Sequence, residues 1–240
     1  MPSTPQISLI LPAYNEAARI ANTVAEAKAY FESRALAYEI IVSADGTDGT
    51  REIVADLART DPTLRVIGSP ERRGKGYGIR QAIPLASGAI VGFADADNKT
   101  PVDELDKFLP LLNGDYDLVI GSRGLAESKI EHPQPLYRQL GSKGFGVFMH
   151  LVVGLHDIID TQCGFKFLRH DVAADLFARQ QIDGYMYDVE ILYLAQQSHY
   201  KIGQVAVRWR DDGDSRLQLL SGNIRNALDI FRIRFPARHK

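Results

Sequence analysis

ISLILPAYNEAARIANTVAEAKAYFESRALAYEIIVSADGT, residues 7–47, sets an apolar run, a helix-like stretch and a second apolar run in that order. Ile7–Leu11 reads as a short strand ended by Pro12, and Tyr38–Val42 (YEIIV) reads as a buried one. Between them, the Ala- and Glu-rich stretch from Glu16 to about Phe31 is expected to be helical, with Asn15 as its cap. The alternation continues outward from there. A polar turn at Ser43–Thr50 leads to a helix from Arg51 to about Arg59, a strand at Leu64–Ile67 and a helix beginning near Gly76. A strand at Ile90–Ala94 ends at an acidic tip, Pro101 opens another helix, and Leu118–Ile120 is a fifth strand. Strands alternating with helices predict an α/β fold, a single Rossmann-like and mostly parallel sheet with helices on both faces. Ligands in such sheets bind beyond the carboxyl ends of the strands. Tyr14–Glu16, Asp45, Asp95–Asp97 and Arg123 follow strand ends and are therefore expected on one rim.

The second half is less regular. A helical stretch from Pro135 to about Gly154 precedes DTQCGFKFL (Asp160–Leu168), then helices near Asp171–Gln180 and Asp188–Gln197. A strand at Ile202–Trp209 and a helix from about Leu217 to Phe235 follow. With no repeat, low-complexity tract or linker, residues 1–240 are expected to form one unit. A net charge of −2 gives no general attraction to nucleic acid, so none is expected as a partner. Cys163 is the only cysteine, which excludes an internal disulfide and suits a reducing compartment. The N-terminus has no basic start before a long apolar run, so no signal peptide is expected. Gly144–Leu155 falls short of the ~20 apolar residues of a membrane span and contains His150, so a soluble or peripheral protein is expected.

FADAD (Phe93–Asp97) carries the most chemistry. Two aspartates separated by one small residue just past a strand can place both carboxylates in one turn. Such a pair repels itself unless a cation sits between them, and hard oxygen ligands suit Mg²⁺ or Mn²⁺. A solvated loop with Asp97 or Asn98 capping the next helix fits the same residues. GKGYGIR (Gly74–Arg80) opens a helix with exposed amides and two cations, an anion site or simply a glycine-rich turn. Arg210 and Arg216 flank DDGDS, with Arg208 nearby, and could clamp phosphate or pair with Asp211, Asp212 and Asp214. The last helix sets Ile224, Leu228, Phe231 and Phe235 at spacings of three or four among arginines, as either an interfacial or an ordinary packed helix does. Cys163 reads as buried, Trp209 as a core or edge aromatic, and Asp188 and Glu190 as caps or structural pairs that could also supply a general base.

Read together, PAYNE (Pro12–Glu16), ADGT (Ala44–Thr47), GKGYGIR, DAD, GSR (Gly121–Arg123), DTQCGFK, YDVE (Tyr187–Glu190) and RDDGDSR (Arg210–Arg216) occur in one order. This series resembles glycosyltransferase family 2, in the branch containing dolichyl-phosphate glucosyl- and mannosyltransferases. The resemblance implies a GT-A fold, a nucleotide-diphosphate sugar donor and inversion at the anomeric carbon. It implies a nucleotide-sugar half at about 7–123, an acceptor half at 124–216 and an amphipathic helix at 217–240. By position, Pro12, Tyr14, Glu16, Ser43, Asp45 and Lys75 would hold the donor, and Asp95, Ala96 and Asp97 the diphosphate. Asp95 and Asp97 would ligate Mg²⁺ or Mn²⁺, Arg123 would contact sugar or phosphates, and Arg138, Arg210 and Arg216 would bind phosphate. UDP-glucose is the favoured donor and GDP-mannose the next, with polyprenyl or dolichyl phosphate as acceptor. The enzyme would then sit peripherally on the cytoplasmic membrane face.

Three positions depart from the family pattern: Ala44 where an acidic residue precedes Asp45, Lys99 where some relatives offer a neutral metal ligand, and Arg216 where lysine is usual. Two other readings compete. One is a transferase of the same fold acting on a soluble hydroxyl acceptor, with Asp188 as its catalytic base. The other is a nucleotide-sugar-binding protein without turnover.

Overall fold

The structure, a computed structural model, describes residues 5–131, 146, 149–210 and 221–235. Its first strands are β1 (Ile7–Tyr14), β2 (Tyr38–Asp45), β3 (Leu64–Ile67) and β4 (Ile90–Phe93). The helices α1 (Ile20–Ser33), α2 (Thr50–Ala58) and α3 (Lys75–Ala82) connect them. The chain continues through a 3₁₀ turn at Val102–Lys107, α4 (Leu109–Leu112), β5 (Leu118–Ser122), β6 (Lys129–Ile130) and α5 (residues 149–153). It closes with β7 (Lys166–Arg169), α6 (His170–Arg179), α7 (Tyr187–Gln197), β8 (Ile202–Ala206), β9 (Arg208–Trp209) and α8 (Ser221–Arg234).

Seven strands form one sheet in the order β3-β2-β1-β4-β7-β5-β8, and β6 pairs with β9 separately. The alternation of side chains along each strand divides the core between two faces. Ile10 and Ile41 point to one apolar layer with Ile79, Val172, Val189 and Ile230, from α3, α6, α7 and α8. Their neighbours Leu9, Leu11, Ile40 and Val42 point to the other, with Val24, Val54, Leu105 and Leu112. The chain leaves β1 toward β2 on one side and reaches β4 on the other, so the sheet reverses its winding between β1 and β4. That reversal opens a crevice at the carboxyl ends of these two strands.

β7 is the strand of the main sheet missed in the sequence. It runs antiparallel between β4 and β5, with Phe167 opposite both Gly92 and Val119. A Cβ on Gly92 would lie 2.0 Å from the Phe167 ring, so the bare backbone there is what lets β7 enter the centre of the sheet. Because β7 is reversed, its beginning, not its end, meets the rim. Residues 160–165 are thereby carried to the carboxyl ends of β4 and β5.

Other boundaries also shift. Asn15 does not cap α1: it has φ 55°, and the helix starts at Ile20 behind Arg19. After Pro101 the chain forms the 3₁₀ turn and the single turn of α4 instead of one helix. The expected strand Ile202–Trp209 breaks at Val207, leaving β8 in the main sheet and β9 with β6. Most of the helix expected from Pro135 lies outside the described residues, as do Arg138, Arg216 and the DDGDS loop.

At the opposite end of the sheet a buried carboxylate ties β1, β2 and the turn before β4. Glu39 accepts from the Ser8 hydroxyl (2.7 Å), the Ser87 amide (2.6 Å) and the Ser87 hydroxyl (2.7 Å). Burial alone would raise its pKa, but these bonds and the Arg65 charge outweigh burial and lower it. A carboxyl depressed in the folded state stabilises above its usual pKa, and the effect fades as pH falls through the depressed value. Glu39→Ala should therefore cost about 1–3 kcal/mol at neutral pH, with the gap to wild type narrowing below pH ~4 in urea melts.

Candidate active site

The continuation of β4 turns across the rim. The Ala94 amide donates to the Ile10 carbonyl (3.1 Å), and the Asn98 amide to the Asp95 carbonyl (3.0 Å). Ala96 is buried, and its carbonyl accepts from the Thr23 hydroxyl of α1 at 2.8 Å. Only a small side chain suits that middle position, and the carboxylates on either side of it remain partly open.

Each aspartate has a lysine. Lys75 Nζ lies 2.5 Å from Asp95 Oδ1, and Lys99 Nζ lies 3.5 Å from Asp97 Oδ2. The carboxylates nevertheless feel one another. Burial and then the charge on Asp95 push the Asp97 pKa up, against the pull of Lys99, its amide and Lys75. Asp95 also rests against the DTQCGFK segment: a Cβ on Gly164 would fall 2.2 Å from Asp95 Oδ2. The glycine in that motif admits the carboxylate.

Beside the turn is a cleft of about 380 Å³ lined by Ser43, Asp45, Ile67, Gly68, Ser69, Arg73, Tyr77 and Gly78. Asp45 shapes its floor by accepting from the backbone amides of Ser69 (3.2 Å) and Arg73 (2.8 Å). α3 joins the cleft to the acidic turn, because Tyr77 and Gly78 form a wall while Lys75 reaches Asp95. A helix N-terminus there favours an anion spanning the two. Pro12 and Tyr14 sit in register beside Ser43 and Asp45, and the Arg72 guanidinium lies 4.4 Å from the Tyr14 ring centre. Glu16 joins them through its amide, which donates to the Thr50 hydroxyl at 2.9 Å.

On the far side, Arg123 is clamped. Its Nε and one terminal nitrogen donate to the two oxygens of Asp160 at 2.7 and 3.0 Å, and its amide donates to the same carboxylate at 2.9 Å. Burial works against the charge on Arg123, but the Asp160 bonds outweigh it and raise the pKa. Trp209 stands between the cations, 5.4 Å from Arg123 and 5.9 Å from Lys99. Arg210 is tied to the acidic turn through its amide on the Lys99 carbonyl (2.9 Å), while its Nε lies 3.1 Å from Glu131.

Asp188 stands differently from a base open to an acceptor. It is buried, and Lys166 Nζ donates to it at 2.7 Å and to the Cys163 carbonyl at 2.5 Å. Cys163 is buried too, its thiol pushed up to about 11 by burial, which leaves it unreactive. Asp160, Lys166 and Trp209 went unassigned as site residues in the sequence. A lysine between Phe165 and Phe167 was the available signal, since a charge in an apolar strand needs a buried partner. Among the described residues no third acidic, histidine or cysteine side chain joins Asp95 and Asp97.

A doubly wound sheet with a nucleotide-sized cleft and an acidic turn at its switch point is the architecture of a GT-A fold. Solved structures share it. Mannosyl-3-phosphoglycerate synthase from Rubrobacter xylanophilus aligns with TM-score 0.69 and 19% identity, covering 95% of this chain and 72% of that one. Glucosyl-3-phosphoglycerate synthase from Mycobacterium tuberculosis, in complex with Mn²⁺, UDP-glucose and glycerol 3-phosphate, aligns with TM-score 0.68 and 23% identity, covering 96% and 80%. In sequence, the dolichyl-phosphate beta-glucosyltransferase ALG5C of Trichomonas vaginalis is 34% identical over 244 residues, 97% of this chain and 72% of that protein. The dolichyl-phosphate beta-glucosyltransferase of Homo sapiens is 32% identical over 228 residues, 89% and 70%. The chain belongs to Glycosyl transferase family 2, whose profile matches residues 8–177, and it is a glycosyltransferase.

Two substitutions separate chemistry from support. A carboxyl whose folded pKa is raised weakens the fold as pH climbs above its ordinary value. Asp97→Asn should therefore raise the melting temperature of the metal-free protein at pH 7 while removing turnover and any Mn²⁺-induced thermal shift. Asp188→Ala strands the Lys166 ammonium and should cost about 3–5 kcal/mol, whereas the double change Lys166→Met with Asp188→Leu should recover much of it. Thermal melts with and without Mn²⁺ and a turnover assay check the first, and chemical denaturation checks the second.

Proposed function

We propose that the enzyme moves glucose from UDP-glucose to a polyprenyl phosphate such as dolichyl phosphate, with inversion at the anomeric carbon. The glucosyl group and the lipid acceptor are those named for the relatives at 32–34% identity. The observation that carries the reading is the paired carboxylates of Asp95 and Asp97 at the switch point, joined by α3 to the cleft.

The uridine is assigned to that cleft, with Asp45 and the 68–74 loop around it and Tyr14 in register beside Asp45. The diphosphate then lies along the start of α3. Burial and then the Asp95 charge raise the Asp97 pKa in spite of Lys99 and Lys75, and a divalent cation between the two carboxylates would relieve that repulsion. Mg²⁺ or Mn²⁺ held by Asp95 and Asp97 would supply charge neutralisation for the departing diphosphate. Mg²⁺ sites of this kind use one or two carboxylates and complete their shell with phosphate oxygens and water, so two protein ligands suffice.

The chain's own residues do the rest by placement. Lys75 releases Asp95 to reach the diphosphate, and Asp160 holds Arg123 in one orientation beside the sugar and acceptor phosphate. A phosphomonoester acceptor has its second pKa near ~6 and is largely dianionic at neutral pH, so it attacks without a general base. The burial of Asp188 against Lys166 supports this acceptor over a hydroxyl, which would need a base to take its proton.

Radiolabelled UDP-glucose and GDP-mannose, each with Mg²⁺ or Mn²⁺, offered with dolichyl phosphate or 3-phosphoglycerate, test the assignment. Glucose should enter the lipid phase from UDP-glucose alone, and EDTA should stop it. Label appearing only in the water-soluble acceptor would overturn the reading.

A further inference from the structure

Tyr187, the first residue of α7, is fully withdrawn from solvent. Its ring centre lies 5.8 Å from that of Phe93, and a Cβ on Gly76 of α3 would fall 2.5 Å from its own Cβ. Tyr187 carries a hydroxyl into this apolar setting, and among the described residues that hydroxyl has no hydrogen-bond partner. A buried hydroxyl left unpaired is unfavourable, and phenylalanine would fill the same space without it. Packing therefore gives no reason for the oxygen. The ring does have one charged neighbour from the rim, since Lys75 Nζ lies 5.7 Å from its centre. Burial and then the charge on Asp188 push the phenol pKa up, while Lys75 pulls it down. Lys75 itself is engaged with Asp95, which it bonds at 2.5 Å.

We infer that the Tyr187 hydroxyl is a second seat for the Lys75 ammonium, taken when a ligand at the rim draws Asp95 away. With Asp95 turned to a divalent cation, Lys75 loses its carboxylate at the moment a diphosphate arrives. An ammonium has three hydrogens to donate and no acceptor. The hydroxyl accepts one of them from the core side, which leaves the other two for an anion along the start of α3. Lys75 is thereby held in one direction while its partner changes.

Tyr187 is a positioning residue in this scheme, because a side chain without solvent-accessible surface touches no ligand and acts only through Lys75. Its own place is fixed from two sides. The next residue, Asp188, accepts from Lys166 at 2.7 Å, and the bare backbone of Gly76 admits the Tyr187 side chain against α3. The Tyr77 amide, one turn into the same contact, donates to the Asp183 carbonyl at 3.1 Å, so the segment before α7 and the start of α3 are joined. An oxygen unpaired in the free enzyme is then one that the ligand-bound enzyme uses. The inference rests on the reading of the rim as the donor site and adds to it how the released lysine is aimed.

The test is Tyr187→Phe in the full chain, with UDP binding measured by titration calorimetry in the presence of Mn²⁺. The ligand-free variant should melt at or above the wild-type temperature, because no bond is lost. It should nevertheless bind UDP about tenfold more weakly, as expected for one lost hydrogen bond to a charged group. Lys75→Met should weaken UDP further, and in that background Tyr187→Phe should change the affinity no more. Circular dichroism melts check that each variant folds. UDP bound by Tyr187→Phe as tightly as by wild type would overturn the inference. So would losses that add in the double variant, since the hydroxyl would then act without Lys75. A lower melting temperature of ligand-free Tyr187→Phe would also overturn it, by showing the hydroxyl already bonded. Absence of UDP binding in wild type would instead bring down the donor-site reading and this inference with it, so the wild-type titration separates the two failures.

Discussion

Negative charge gathered at the end of β4 is the constraint around which the rim is organised. Asp95 and Asp97 stand in one turn, partly withdrawn from water, and each is answered by a lysine from a different direction. Lys75 comes from the first residue of α3, across the switch point, and Lys99 from the turn itself. Neither contact is closed off from solvent, so the lysines can give way to a ligand that brings its own charge balance. An anion spanning α3 and the acidic turn, with a divalent cation between, would satisfy all four groups at once. Such a ligand would complete the charge balance of the turn.

Beneath that rim lies a firmer electrostatic layer. Lys166 and Asp188 are both withdrawn from water, and the Lys166 ammonium also holds the Cys163 carbonyl, which fixes the loop leading to Gly164. Gly164 in turn is the surface against which Asp95 lies. A buried ion pair is weak evidence of net stability, because desolvation offsets its attraction, but it is costly to break. Its effect here is positional: it locks β7 and α7 together below the residue that would carry the metal. Asp160 holds Arg123 similarly on the other side, so an acid and a cation of the rim both owe their orientation to residues 160–166.

Lys99 and Ala44, two departures from the family pattern, have local accounts. Lys99 adds a permanent positive charge beside Asp97 and packs near Trp209, in a place where a neutral ligand would serve a metal directly. Ala44 is buried at the end of β2, so the single carboxylate of Asp45 is left to organise the 68–74 loop through two amides.

The alternation of apolar runs and helical stretches over residues 7–93 was enough to determine the parallel part of the sheet and the rim on which Tyr14, Asp45 and Asp95–Asp97 gather. Those elements are local, and their burial pattern follows directly from periods of two and 3.6 residues. The DAD turn and the glycine-rich start of α3 were legible for the same reason. The partners were not. That Asp188 would meet Lys166 and that Arg123 would meet Asp160 depend on β7 entering the sheet in reverse between β4 and β5, while Lys75 meets Asp95 across the switch point between β1 and β4. A four-residue strand carrying a lysine has no periodicity that announces such a place, and its pairing spans long stretches of chain. The sequence by itself determined which residues could do chemistry, because local pattern and residue type suffice for that. Only the tertiary structure decided which of them hold one another, because side-chain partnership is set by strand order and direction.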